Sequence, residues 1–258
     1  MKQGSRTTRI VLAIYTLLGL ILSLHTRSRG IAENADSKST LLFALSLILT
    51  IVGAVALAAS FVPRQRTTDT RKLTMAAMFA ALCYVGFAYL RIDIPVGTEK
   101  TAFHLGNVFC VLGALFLGGL WGGMAGAVGL TIADLTSGYV TSAPKTFLLK
   151  LGIGIIAGLI AHRVFRLGQE KAQRRGSLTL GAALSATAGM AFNVVADPLV
   201  GYFYKTYVLG VPQEAAQIWV KIGAVTTLVN AVIAVLVSTM LYLALRPALE
   251  RSHLLPKV

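Results

Sequence analysis

The sequence predicts an all-α membrane protein of eight spans, a six-helix unit preceded by an N-terminal transmembrane hairpin. Three observations carry that prediction. Hydrophobic residues make up 55% and charged residues only 13% of the 258 residues, against about 45–50% and about 25% in soluble domains. Mean hydropathy is +0.72, and the apolar residues fall in runs close to the ~20 that an α-helix needs to cross ~30 Å of hydrocarbon. Twenty-five glycines sit among those runs, as expected where helices pack closely in lipid. A soluble enzyme, a disordered chain and a disulfide scaffold are excluded.

The first span, residues 9–25, follows Lys2, Arg6 and Arg9 as a signal peptide would. Ser23-Leu24-His25-Thr26-Arg27 offers no small-x-small cleavage site, however. A second span, 40–62, follows a short polar loop, so residues 1–62 read as an uncleaved transmembrane hairpin. The basic stretch 63–72 (PRQRTTDTRK) reads as a cytoplasmic linker. Residues 73–258 form the six-helix unit, with spans at 73–90, 104–118, 121–136, 146–165, 178–197 and 221–245. Several are short enough to be tilted or flanked by re-entrant loops. Gly118-Gly119-Leu120-Trp121-Gly122-Gly123 reads as a tight turn between two of them. Cys83 and Cys110 lie inside apolar helices without a CxxC partner and read as small buried hydrophobes.

Charge fixes the expected topology. With the N-terminus in the cytoplasm, the cytoplasmic pieces hold 15 of the 24 Lys and Arg but only the acids Asp69, Glu170 and Glu250. That asymmetry follows the positive-inside rule and puts both termini in the cytoplasm. It also accounts for the net charge of +14. The basic residues lie in short blocks between apolar segments and form no aromatic-interleaved stripe, so nucleic acid is not an expected partner.

In this topology the outward elements are residues 91–103, 137–145 and a long connection from 197 to 220. The polar residues of the six-helix unit gather near them: His104, Asn107, Asp134, Lys145, Lys150, Asn193, Asp197 and Lys221, with Tyr202, Tyr204, Lys205 and Trp219 at the rim. The inner halves of the same helices are Ala, Gly, Val, Leu and Ile, with only Asn230 and Lys150 nearing mid-depth. Ionisable groups at membrane depth are costly and normally face a bundle interior or a wet cavity. The expected site is an outward pocket over a dry inner half, unlike a channel, which needs a polar path throughout. Plainer roles stand beside this one. Asp134 and Asp197 could cap helices or pair with Lys145 or Lys221, and Asn193 and Asn230 could join helices through hydrogen bonds. Lys205 and the tyrosines could be an interfacial belt. Four lysines against two aspartates favour a ligand with a carboxylate or another acceptor-rich group, and rim aromatics suit a flat ring.

Small residues recur at helical spacing. Ala77 and Ala81, and likewise Ala76 and Ala80, form smooth stripes on residues 73–90, a spacing that lets another backbone approach closely in lipid. Gly118, Gly122 and Gly126 repeat the device, as do Gly154 and Gly158. Each stripe suits either internal packing or a membrane partner, and the first is the candidate for partner docking. No GxxxxGK[ST] phosphate loop, HExxH or GxSxG motif is present, so any ATP that drives the protein comes through a separate subunit.

Taken in order, Leu73-Thr-Met-Ala-Ala77-Met-Phe-Ala-Ala81, His104-Leu-Gly-Asn107, Gly122-Gly-Met-Ala-Gly126-Ala-Val-Gly129, Asp134-Leu, Ala143-Pro144-Lys145-Thr146, Lys150 and Asn230-Ala carry a resemblance. Residues 71–247 resemble the substrate-binding S components of energy-coupling factor (ECF) transporters, in the branch with riboflavin- and pantothenate-type members. The resemblance implies a six-helix S-component bundle with an outward pocket for a vitamin-like ligand. It implies no catalytic residue, metal or cofactor in this chain, and assembly with a transmembrane T component and two cytoplasmic ATPases. An AxxxA stripe on the first helix of such proteins meets the T component, and Ala77 and Ala81 match it. The N-terminal hairpin departs from many members. The rival readings are a stand-alone ion-coupled carrier and an intramembrane enzyme using Asp134 and Asp197 as an acid–base pair.

Overall fold

Four stretches are long and apolar enough to cross a bilayer as continuous helices: Thr70–Ala88, Val140–Val164, Gly176–Val208 and Gln213–Arg251. They belong to a computed structural model that describes residues 70–97, 99–168, 175–252 and 254–255, with Ala13, Ile14, Leu17 and Gly53 besides. The spans expected at 9–25 and 40–62, and the linker as far as residue 69, otherwise lie outside the described residues.

Helix α1 (Thr70–Ala88) leads into an antiparallel hairpin, β1 (Arg91–Val96) and β2 (Glu99–His104), with Arg91 opposite His104 and Val96 opposite Glu99. Helix α2 (Gly106–Leu117) follows, then α3 (Gly119–Thr136), a 3₁₀ turn at Val140–Ser142, and α4 (Ala143–Leue159).

 Helix α4 runs on through a π-turn at Ile160–Val164, and α5 (Arg175–Phe203) through another at Tyr204–Val208, before α6 (Gln213–Arg251) closes the bundle. Pro144 in the first turn of α4 sits where a missing N–H costs nothing. Six helices are thus described, and five match the expected spans to within a few residues at most ends.

The connection expected from 197 to 220 does not exist as a loop. Helix α5 continues through Pro198, its π-turn reaches Val208, and α6 begins at Gln213, leaving only residues 209–212 outside helix. Hydropathy marks where hydrocarbon ends, whereas these helices keep their hydrogen bonds into the polar zone beyond it. A proline inside a membrane helix is tolerated where neighbouring groups satisfy the freed carbonyl. The outward stretch 91–103, for its part, forms strands, because its backbone groups pair with each other once outside the helices.

Helix α2 is the axis of the bundle. Every residue but Phe109 is buried, as expected of a helix that is apolar all round, and it packs against α1, α3, α4 and α6. Its 12 residues span only about 18 Å at 1.5 Å per residue, well short of the bilayer core. The hairpin lies over its N-terminal end. Gly118, at φ 85°, makes the sharp link to α3, as the glycine cluster predicted.

The α3–α4 contact explains the glycine stripes. A Cβ on Gly154 would strike the backbone of Gly123, and one on Gly158 the backbone of Gly119. Gly122 abuts Ala114 and Gly126 abuts Cys110 in the same way across α2 and α3. These stripes serve internal packing, which here replaces a hydrophobic driving force that lipid cannot supply. Cys83 and Cys110 are fully buried and free of disulfides.

Candidate functional site

The short α2 leaves space between its N-terminal end and the hairpin, and a cavity of about 150 Å³ occupies it. Helical spacing selects the walls. Asn193, Asp197, Gly201 and Lys205 recur every fourth residue on α5, and Ser142, Lys145, Thr146 and Lys150 share one face at the start of α4. Leu130 and Asp134 do the same on α3, while His104 and Asn107 bracket the start of α2. Seven of the eight binding residues expected from the sequence therefore meet in one cavity: His104, Asn107, Asp134, Lys145, Lys150, Asn193 and Asp197.

Lys221 is the exception. It is exposed and does not line the cavity. Trp219, Val220, Gly223, Thr226, Thr227 and Asn230 are the α6 residues that do, and they mark one face. At 100° per residue, Lys221 points about 200° away from Gly223. Tyr202 and Tyr204 also stand outside the lining, whereas Lys205 and Trp219 are within it.

The charges are partly matched to each other. Lys145 Nζ donates to Asp197 Oδ1 at 2.7 Å, and the Thr227 hydroxyl donates to Asp197 Oδ2 at 2.8 Å. Both carboxylate oxygens are therefore held, and the plainer pairing role expected for Asp197 operates inside the cavity wall. Lys150 has no carboxylate within salt-bridge distance among the described residues. Asn107, Asp134 and Asn193 are buried, and their Oδ1, Oδ2 and Oδ1 atoms respectively have no hydrogen-bond partner among those residues. Buried polar atoms are nearly always paired, so three orphans around one cavity call for an explanation.

The hairpin roofs the cavity and is pinned from below. Asn230 donates through Nδ2 to the Ala102 carbonyl at 2.9 Å and accepts at Oδ1 from the His104 N–H at 3.1 Å. The interhelical role expected of Asn230 is instead a helix-to-hairpin one. The Gly106 N–H donates to His104 Nδ1 at 3.1 Å, which leaves the imidazole neutral with its proton on Nε2. Burial, and then the Lys150 charge, hold its pKa down to about 3. Lys205 ties α5's π-turn to Glu99 of the hairpin at 3.3 Å and lies 4.7 Å from the Trp219 ring. On the outer face, Asp93 accepts from the Tyr139 hydroxyl at 2.9 Å and pairs with Arg91 at 2.8 Å and Lys100 at 3.3 Å. Burial pushes the Asp93 pKa up, but Tyr139, Lys100 and Arg91 outweigh it and hold it below the usual carboxylate range.

Several of these residues escaped the sequence reading. Thr227 and Thr226 break an apolar helix three and four positions before Asn230, a spacing that could have signalled one polar face. Glu99 and Tyr139 carried no such signal, because loops have no period.

At the opposite end a second polar group is buried. Lys72 and Arg246 are 2% and 8% exposed, and His162 Nε2 lies 3.3 Å from the Ala114 carbonyl. Arg246 donates to the Tyr242 hydroxyl at 3.0 Å and to Glu250 at 2.6 Å. The expectation of a dry inner half is corrected here. The three cations were expected in loops, but α1 and α6 extend past the apolar windows and carry Lys72 and Arg246 into the packed end. A dry layer nonetheless lies between the two ends. Along α2, Val108, Val111 and Leu112 are buried between Asn107 of the cavity and Ala114, a rise of about 10 Å. Among the described residues, no three His, Cys, Asp or Glu side chains are grouped as metal ligands.

The two stripes on α1 part company. Ala76 is buried and Ala80 half-buried, whereas Ala77 and Ala81 are exposed beside Leu73, Met78 and Val85.

No curated protein and no solved structure matches the chain. A family model, described as ECF-type riboflavin transporter, S component, matches residues 67–247, which takes in all six helices except the last residues of α6. The match covers well over half of the sequence, and the chain belongs to the family of ECF-type riboflavin transporter S components.

Proposed function

We propose that this chain is the substrate-binding subunit of an ATP-driven uptake system for a vitamin or similar micronutrient. It captures its ligand from outside, in the cavity beneath the hairpin. His104, Asn107, Asp134, Lys145, Lys150, Asn193 and Asp197 form the binding set; Lys221 is left out because its side of α6 faces away. The observation that carries this reading is the trio of buried, unpartnered oxygens on Asn107, Asp134 and Asn193 around one cavity. The dry layer along α2 supports capture at one end over free passage through the protein.

The hairpin end faces outward in this reading and the Lys72–Arg246 end inward, in keeping with the positive-inside bias. Residues 1–62 add a transmembrane hairpin, which gives eight spans and two cytoplasmic termini. Ligand transfer requires a transmembrane T component and two cytoplasmic ATPases, and no cofactor resides in this chain. Ala77 and Ala81 dock the T component. Their exposure on α1 supports that role, since small side chains let two helices approach closely.

Reconstituted vesicles test the whole proposal. Ligand uptake should require both the partner module and ATP, and Ala77→Trp/Ala81→Trp should abolish uptake while the isolated subunit still binds ligand. Uptake by this chain alone, without ATP and collapsed by an ionophore, would sink the proposal in favour of ion-coupled transport.

A further inference from the structure

We infer that the cavity takes a single-ring amphoteric compound, with N–H donors on one edge and an anionic group on another, and excludes the three-ring flavin named in the family's description. The inference rests on the substrate-binding role proposed above and gives that role a ligand class.

Size comes first. The cavity has a volume of about 150 Å³. A space of about that size holds one benzene ring, whereas pockets for larger, drug-sized ligands run from about 300 to 1,000 Å³. One ring with small substituents fits; a fused three-ring system with a sugar-alcohol tail does not. Phe87, Tyr139 and Trp219 contribute aromatic surface to the lining, which suits a planar ligand better than an aliphatic one.

Polarity sets the rest. Asn107, Asp134 and Asn193 are 2%, 4% and 1% exposed, and the orphan atom of each is an oxygen. A ligand that satisfies all three must bring N–H or O–H groups to that side. The lysines answer a different need. Lys100, Lys145 and Lys205 each pair with a carboxylate of this chain. Lys150, also in the lining, makes none of the ion pairs among the described residues. An anionic ligand group placed there would replace the water that a buried ammonium otherwise needs. Asp134, close enough to influence Lys150 electrostatically, keeps the net demand amphoteric and disfavours a multiply charged anion.

Calorimetric titration of the detergent-solubilised full chain with riboflavin, uracil and orotate separates the two requirements. The three share a lactam edge; they differ in ring number and, between the last two, in a carboxylate. Orotate should bind at least about tenfold tighter than uracil, the scale of one charge-assisted hydrogen bond, and riboflavin should bind weakest. Lys150→Met should abolish the preference for orotate, and Lys150→Arg, which keeps the charge, should retain it.

Riboflavin binding tighter than both single rings overturns the size argument. Equal binding of orotate and uracil, a preference that survives in Lys150→Met, or no binding of any probe overturns the ligand class. None of these results touches the subunit's role, which is tested independently by mass spectrometry of small molecules released from the purified chain and by ATP-dependent uptake. If Lys150→Met fails to fold, the wild-type ratio and the Lys150→Arg result decide the question.

Discussion

The two ends of the helical unit bury similar chemistry and use it differently. At the hairpin end, Lys150 and the oxygens of Asn107, Asp134 and Asn193 face a cavity with bonds left to make. At the other end, Arg246 bonds to Tyr242 and Glu250, and Phe116 packs on Tyr242 with ring centroids 4.8 Å apart. Both ends hold basic side chains that a membrane helix rarely buries. The difference teaches that burial of charge does not by itself mark a binding site. Unmatched hydrogen-bonding capacity facing open volume does.

Substitutions can sharpen that comparison. The largest loss of stability is expected from Lys145→Met, which leaves the mostly buried Asp197 without its ion-pair partner. Breaking such a pair costs about 3–5 kcal/mol, readable as a lower melting temperature in detergent. The double variant Lys145→Met/Asp197→Leu should regain most of that stability but not ligand binding. If the double variant binds normally, the pair is structural alone.

Arg246→Met at the opposite end should cost less, about 1–3 kcal/mol, by leaving the buried Tyr242 hydroxyl without its partner. Ligand affinity should stay unchanged to within a factor of about two, as additivity over well-separated sites requires. A large loss of affinity would break the separation between the two ends.

A smaller effect follows from His104. The folded chain holds its imidazole neutral down to about pH 3, whereas a free imidazole takes up a proton near pH 6.5. The unfolded chain therefore binds more protons between those values, and stability falls as the pH drops from about 6.5 towards 3. His104→Gln should flatten part of that slope in melting curves measured across pH. An unaltered slope would show that His104 does not contribute to it.

The smallest effect belongs to the hairpin's outer tie. The folded pKa of Asp93 lies below its ordinary value, so the tie persists above pH 4 and is lost only as the pH falls through the lowered value. Asp93→Asn should change stability by less than about 1 kcal/mol, as for other exposed pairs.

Hydropathy located the six helices because lipid demands long apolar runs, and it found the link at Gly118 because few other residues adopt that backbone. It misplaced the ends of α5 and α6, which continue as helices into polar surroundings. The binding set was legible through clustering: seven polar residues from four helices and the hairpin fall at one level. Lys221 was misjudged because depth along a helix says nothing about which side a residue faces. Thr227 and Asn230 were hard to rank beforehand, since their partners lie 30 and 128 residues away in sequence.

Sequence alone determined that this chain enters a membrane, where it breaks between spans, and which side chains are too polar to face lipid. Those outcomes follow from the cost of moving each residue out of water, a property of the residue and its near neighbours. Tertiary structure alone decided that Ala77 and Ala81 stay exposed while Gly154 and Gly158 pack inside. It also decided that Lys145 pairs with Asp197 while Lys150 does not. Such choices depend on which helix faces come together, and geometry between distant segments is set only when the bundle closes.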